Sequence, residues 1–128
     1  MSQRVVYSAI SLVCIAFTTV CYFFIREKEI LFHKAERIYQ EKSFQKSIPL
    51  YESAFKQGVR SPLLYYHLGD AYTSENRFDE AAELYKQYLK AHPKNREMRI
   101  RLARVLSWQG KLSESTLQYK IANEGIQE

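Results

Sequence analysis

Few side chains in this sequence could perform covalent or metal chemistry, and their spacing says more than their identity. Histidine occurs at positions 33, 67 and 92. His33 and His67 stand 34 residues apart, and each is followed three residues later by a carboxylate, Glu36 and Asp70. Residues at i and i+3 share a helix face, so two such pairs brought together could offer four metal ligands. No cysteine lies near them and no glycine-rich phosphate loop occurs. The plainer reading is two polar groups at the same place in adjacent copies of a repeat. The expectation is a non-enzyme with no catalytic residue, no cofactor and no metal.

The second feature with binding chemistry is a basic cluster, Arg96, Arg99, Arg101 and Arg104. With a net charge of +5, contact with an acidic partner, nucleic acid or anionic lipid is permitted. No nucleic-acid motif accompanies the charge. Arg26 and Lys28 alternate with Glu27 and Glu29 rather than forming a polybasic run. A protein partner is therefore expected, with no nucleic acid and no small-molecule substrate.

Two kinds of element must position these residues. From Val5 to Ile25 the chain carries no charged side chain. As a helix at ~1.5 Å per residue this run is roughly 31 Å long, matching a bilayer core of ~30 Å. Tyr7 and Tyr22 lie near its two ends, where amphipathic rings favour the membrane interface. The run ends Val20-Cys21-Tyr22-Phe23-Phe24-Ile25, without the small residues a cleavage site requires. Cys14 and Cys21 each follow a valine, unlike a lipoprotein signal. The reading is an uncleaved signal-anchor over residues 1–27, contacting lipid through residues 5–25. The short amino-terminal tail favours a soluble domain outside the cytoplasm, although Lys and Arg counts alone favour the opposite side. Both cysteines lie inside the apolar run, so no disulfide framework is predicted.

Beyond residue 27 the sequence repeats. Segments 28–61, 62–95 and 96–128 align without a gap at a period of 34. Leu63-Leu64-Tyr65, Leu68 and Ala71-Tyr72 have the spacing of an amphipathic helix. Polar breaks at 41–43, 75–77 and 109–111 read as turns inside each unit. Longer breaks at 58–62 and 92–95 read as the connections between units, with Pro62 starting a helix and Pro93 stopping one. Small residues at Ala35, Gly69 and Ala103 permit close helix approach. Pro49 falls early in the second helix of the first unit and predicts a late start or a bend there.

The middle segment carries Tyr65, Leu68, Gly69, Tyr72, Ala81, Tyr85 and Pro93. That pattern resembles the tetratricopeptide repeat, at the family's own period. The outer segments are degenerate but in phase, with Lys34 in place of the usual Leu and Ser47 and Ser115 in place of the usual Ala. The resemblance implies an all-α fold: an N-terminal transmembrane helix followed by an α-solenoid of three helix-turn-helix repeats.

The resemblance also implies a concave groove lined by the first helix of each pair. Carried onto this sequence, its groove positions give Phe32, Glu36, Tyr39 and Gln40, then Tyr66, Asp70, Thr73 and Ser74, then Ile100, Arg104, Ser107 and Trp108. Phe32, Glu36, Tyr39, Tyr66, Asp70, Ile100, Arg101, Arg104 and Trp108 are the candidate partner-binding residues, aromatic anchors beside charges. Some of these aromatics equally fit packing between repeats. Phe32 and Glu36 stand where a chaperone-binding carboxylate clamp would need a base and an asparagine. Leu117, Ile121 and Ile126 would leave an uncovered apolar edge on the last repeat, a second partner surface. The function expected is a membrane-tethered scaffold for a multiprotein complex. Phrases such as Arg101-Leu102-Ala103-Arg104 resemble bacterial envelope-assembly proteins, implying an inner membrane and a periplasmic domain. The alternative is an organellar import receptor or adaptor recognising targeting peptides.

Overall fold

No glycine or proline interrupts the chain between Gln3 and Gln40, and that stretch forms one helix, α1 (Gln3–Gln40). The computed structural model describes residues 3–124. After α1 come α2 (Phe44–Lys56), α3 (Pro62–Ser74), α4 (Phe78–Ala91), α5 (Arg96–Trp108) and α6 (Leu112–Glu124). The boundary expected at 27/28 therefore lies inside a helix. Arg26-Glu27-Lys28-Glu29 are all good helix formers, so a change from apolar to charged sequence brings no change of backbone. At ~1.5 Å per residue α1 is about 57 Å long. Its first 28 residues project from the rest of the molecule. Phe32 and Ala35 are the first buried residues on it among those described.

Each turn within a helix pair has the same construction. Lys42 (φ 57°), Asn76 (φ 58°) and Gly110 (φ 76°) are left-handed, and they recur at intervals of 34. The left-handed residue reverses the chain within three residues and makes the two helices of a pair antiparallel. Between pairs, side chains set the helix starts. Ser61 Oγ accepts from the Leu64 N–H at 3.2 Å with Pro62 behind it, and Asn95 Oδ1 accepts from the Met98 N–H at 2.8 Å. Each satisfies one amide that the helix itself cannot.

The core runs continuously through the pairs, with Ile48, Tyr51, Leu64, Leu68, Tyr85, Met98 and Leu106 buried. Tyr65 joins neighbouring repeats, its ring meeting Phe55 at 5.5 Å and Tyr88 at 4.9 Å. At Gly69 α3 and α4 pack tightly: a methyl group there would overlap the ring of Tyr85. Both serines that replace the usual alanine are buried and bonded. Ser47 Oγ donates to Phe44 O at 2.8 Å, and Ser115 Oγ to Ala103 O at 2.7 Å. Pro49 neither delays nor ends α2, which starts at Phe44 and runs through it. Pro49 and Gln45 are both exposed, so water can take the Gln45 carbonyl that the proline cannot bond.

Candidate functional site

The face formed by α1, α3 and α5 carries a polar ladder whose rungs keep one register. Glu36 meets His67, Tyr39 meets Asp70, and Asp70 meets Arg101, each pair 31 residues apart. A constant difference in number, rather than a constant sum, requires these three helices to run parallel.

His67 Nδ1 lies 2.9 and 3.0 Å from the two carboxylate oxygens of Glu36. The carboxylate can only accept, so this nitrogen carries the proton. Tyr51, on α2 beneath the groove, donates its hydroxyl to Glu36 Oε1 at 2.5 Å. The Tyr39 ring stacks on His67 at 4.2 Å, and its hydroxyl donates to Asp70 Oδ2 at 3.4 Å. Arg101 bonds Asp70 with one guanidinium nitrogen and Glu97 Oε1 with another at 3.1 Å, and its plane lies 4.9 Å from the Tyr66 ring centre. Burial and the Asp70 charge push the Tyr39 phenol up to about 12. Burial raises Tyr51 and Tyr85 further, helped by Glu36 in the first case and Asp70 in the second.

Six of the nine candidate residues are therefore committed to contacts inside the molecule. Phe32 is 9% exposed and packs 6.2 Å from the Tyr51 ring as part of the core, the packing alternative for this position. The end of the apolar core falls at this first turn of contact with α2, and a large ring closes it. Glu36, Tyr39, Tyr66, Asp70 and Arg101 form the ladder and are half-buried. Ile100 is also half-buried. Arg104 and Trp108 differ. The Arg104 guanidinium is exposed and has no partner among the described residues. Trp108 is 52% exposed, leaning on Phe78 at 5.6 Å. Asp70, Thr73 and Arg101 join these two around a small polar notch of about 30 Å³.

The arrangement of histidines also differs from the helix-face pairing. His67 reaches back to Glu36 of the preceding repeat instead of to Asp70, and His33 is exposed beside Phe32. Among the described residues no group of three His, Cys, Asp or Glu side chains could hold a metal ion. Sequence reasoning missed Tyr51, whose place on a second helix put it outside the groove pattern.

The tetratricopeptide repeat family profile matches residues 62–105, which span α3, α4 and most of α5. The fold is a tetratricopeptide-repeat solenoid. Similar solved structures include one described as "MamA MSR-1 C2", with a TM-score of 0.72 and 21% identity over 78% of this chain and 57% of that one. Another, "MamA AMB-1 P212121", gives 0.71 and 22% over 76% and 53%. The Yersinia enterocolitica type III secretion translocator chaperone SycD gives 0.67 and 19% over 79% and 76%. At these identities the likeness is one of fold. The chain spans little more than half the length of those two MamA chains. No curated protein matches it in sequence. Within the tetratricopeptide frame, α1, α3 and α5 are the first helices of their pairs, and the ladder lies on the face they form. α6 exposes Leu117 (53%) and Ile121 (37%) on its outer face; Ile126 lies outside the described residues.

Proposed function

We propose that the protein is a membrane-tethered interaction scaffold that helps assemble a multiprotein complex. The observation that carries the binding role is the unequal occupation of the groove. Its first two-thirds are closed by the ladder, while Arg104 and Trp108 stand open at the far end. A fully charged guanidinium beside a half-exposed indole fits a partner segment that presents a carboxylate next to an apolar side chain. Arg and Trp are also the side chains that most often dominate binding energies. The contact is between proteins, without catalysis.

The tether rests on energetics. α1 holds one apolar segment of mean hydropathy 2.1, none of it buried inside the protein. Ten large apolar side chains stand exposed on it: Val5, Val6, Ile10, Leu12, Val13, Ile15, Phe17, Val20, Phe23 and Ile25. At about 1.5–3 kcal/mol for each such side chain, transfer out of water is worth on the order of 20 kcal/mol. The solenoid buries none of that segment, so the transfer energy is gained only in an apolar phase outside the protein. The length suits a bilayer, and an inner membrane with the solenoid on the periplasmic side remains the proposed setting. The exposed face of α6 is proposed as a second docking surface, for another subunit of the same complex.

Affinity purification from native membranes tests the groove, comparing the unaltered chain with Arg104→Ala and Trp108→Ala. The reading holds if a partner recovered with the unaltered chain is lost or strongly depleted with either variant. Equal recovery from all three would reject it.

A further inference from the structure

The unbroken helix α1 fixes more than a tether. The first helices of all three pairs run parallel, and the second helices antiparallel to them. The connections between repeats, 57–61 and 92–95, therefore sit at the end of the solenoid from which the apolar half of α1 projects. The turns at 41–43, 75–77 and 109–111 sit at the opposite end. Lys56 and Lys90 border one groove between α2 and α4, and Lys94 and Arg99 border a cleft with the carboxy-terminal end of α6. These contacts place both connections on one edge.

That edge is basic. Segments 56–62 and 90–96 contain Lys56, Arg60, Lys90, Lys94 and Arg96 and no aspartate or glutamate. All five are exposed. Arg60 folds over the Phe55 ring at 3.9 Å, and Lys56, Lys90 and Lys94 have no ion-pair partner among the described residues. Nearby acids are mostly answered: in the Lys56–Lys90 groove Glu52 and Glu80 pair with Arg77 and Glu83 with Lys86, Glu97 bonds Arg101, and Glu124 lies 3.7 Å from Lys120. Glu27 and Glu29 alternate with Arg26 and Lys28 on α1. The opposite edge mixes signs, with Glu41, Lys42, Glu75, Arg77, Asp79 and Lys111.

Height settles what the basic edge faces. Arg26, Arg60 and Lys94 are spaced by 34, each just before the first helix segment of a repeat. Arg26 is the first charged residue after the apolar run. By the ladder's register of 31, Arg60 lies level with Glu29, about 6 Å beyond Ile25, and Lys94 level with Leu63 and through it with Phe32, about 10 Å beyond Ile25. The polar headgroup layer is about 5–7 Å deep on each side of a bilayer. Fixed charges at that height act well inside a Debye length of ~8 Å.

We infer that the edge carrying Lys56, Arg60, Lys90, Lys94 and Arg96 lies on an anionic lipid surface, so that the solenoid runs along the membrane with its repeats side by side upon it. This rests on the reading of α1 as a span. The sequence scatters these bases in and beside two connections 34 residues apart, and only the rigid helix and the parallel register bring them to one edge.

The test uses the full chain in vesicles, with Cys14 and Cys21 replaced by alanine and one thiol introduced at Gln57→Cys or at Glu75→Cys. A fluorophore on that thiol is quenched by lipids carrying a nitroxide in the headgroup. In vesicles containing phosphatidylglycerol, quenching at position 57 should exceed that at position 75 several-fold. The excess should shrink in high salt, in phosphatidylcholine vesicles, and in a chain with K56Q, R60Q, K90Q and K94Q together. Equal quenching at both positions, or an excess that ignores lipid charge and the four substitutions, overturns the inference. A chain that an alkaline wash strips from the vesicles overturns the spanning reading itself. Duplex DNA held by the unsubstituted chain, with no dependence on lipid charge, would assign the edge to nucleic acid instead.

Discussion

His67 Nδ1 lies 2.9 Å from the carboxylate of Glu36, one repeat away, and the same carboxylate accepts the Tyr51 hydroxyl at 2.5 Å. Three side chains from three helices thus meet on two oxygens, both partly shielded from water. Removing one partner strands the others. His67→Leu or Glu36→Leu should each destabilise the solenoid by about 1–3 kcal/mol, the usual cost of leaving a partly buried polar group unpaired. In a double-mutant cycle on the full chain in detergent, the pair should be non-additive by about 0.5 kcal/mol or more. Simple additivity in thermal melts would mean that the ladder does not join the repeats.

Gly69 is held by shape rather than by turn geometry. Its missing Cβ leaves the space that the Tyr85 ring fills, and that ring is almost fully buried. Gly69→Ala should cost about 2–3 kcal/mol through overpacking, lowering the melting temperature by roughly 10 °C. In a Tyr85→Leu background the same substitution should cost far less. An equal cost in both backgrounds would move the cause away from Tyr85.

Alkaline pH should weaken the fold through its tyrosines. Burial, aided by Asp70, puts the Tyr39 phenol at about 12, above the ordinary value of 10.0. Burial likewise raises Tyr51, Tyr72 and Tyr85. A folded-state pKa above the unfolded value means that the fold favours the neutral phenol. That contribution is complete below pH ~10 and is lost as pH climbs through the folded values. Phenolate absorbance and helical circular dichroism should therefore change together above pH ~10. Full ionisation with the helices intact would contradict this.

Arg104 and Arg101 are three residues apart, yet substitution should separate them. Arg104→Ala should leave the melting temperature within about 2 °C, because the group has no internal partner, while reducing partner recovery. Arg101→Ala strands Asp70 and removes a contact to Tyr66. It should cost about 1–2 kcal/mol, between an exposed ion pair and a fully buried one. Equal thermal shifts for both would erase the distinction between ladder and open groove.

Much of this fold was legible because its punctuation is local. The turns at 41–43, 75–77 and 109–111 fall where polar residues interrupt the apolar period, and Ser61-Pro62 and Asn95 are ordinary helix starts. The unbroken α1 was harder to see, since a shift from apolar to charged residues looks like a boundary. The decisive sign was an absence, no glycine or proline from Gln3 to Gln40. The site was legible only as a face. A repeat alignment pairs residues 34 apart, whereas side chains meet at 31, because adjacent repeats are offset along their helix axes by about one turn. That difference sends His67 to Glu36 and Asp70 to Arg101, which no periodicity in the sequence states. Phe32 shows the same limit: its groove position also lies at the end of the core, and packing won.

The missing hinge in α1 has a mechanical consequence. A span joined to its domain by a loop can tilt in the bilayer without disturbing what it carries. On the proposed reading of α1 as a span, the span and the first helix of the solenoid are one rod, so the two rotate together. Helices in contact lie ~8–10 Å apart, which puts α5 on the order of 20 Å from α1. Tilting the rod by ~20°, an ordinary angle for a membrane helix, would move the Arg104–Trp108 end by about 7 Å. Under the proposed tether, bilayer thickness becomes a coordinate that the Arg104–Trp108 end can follow.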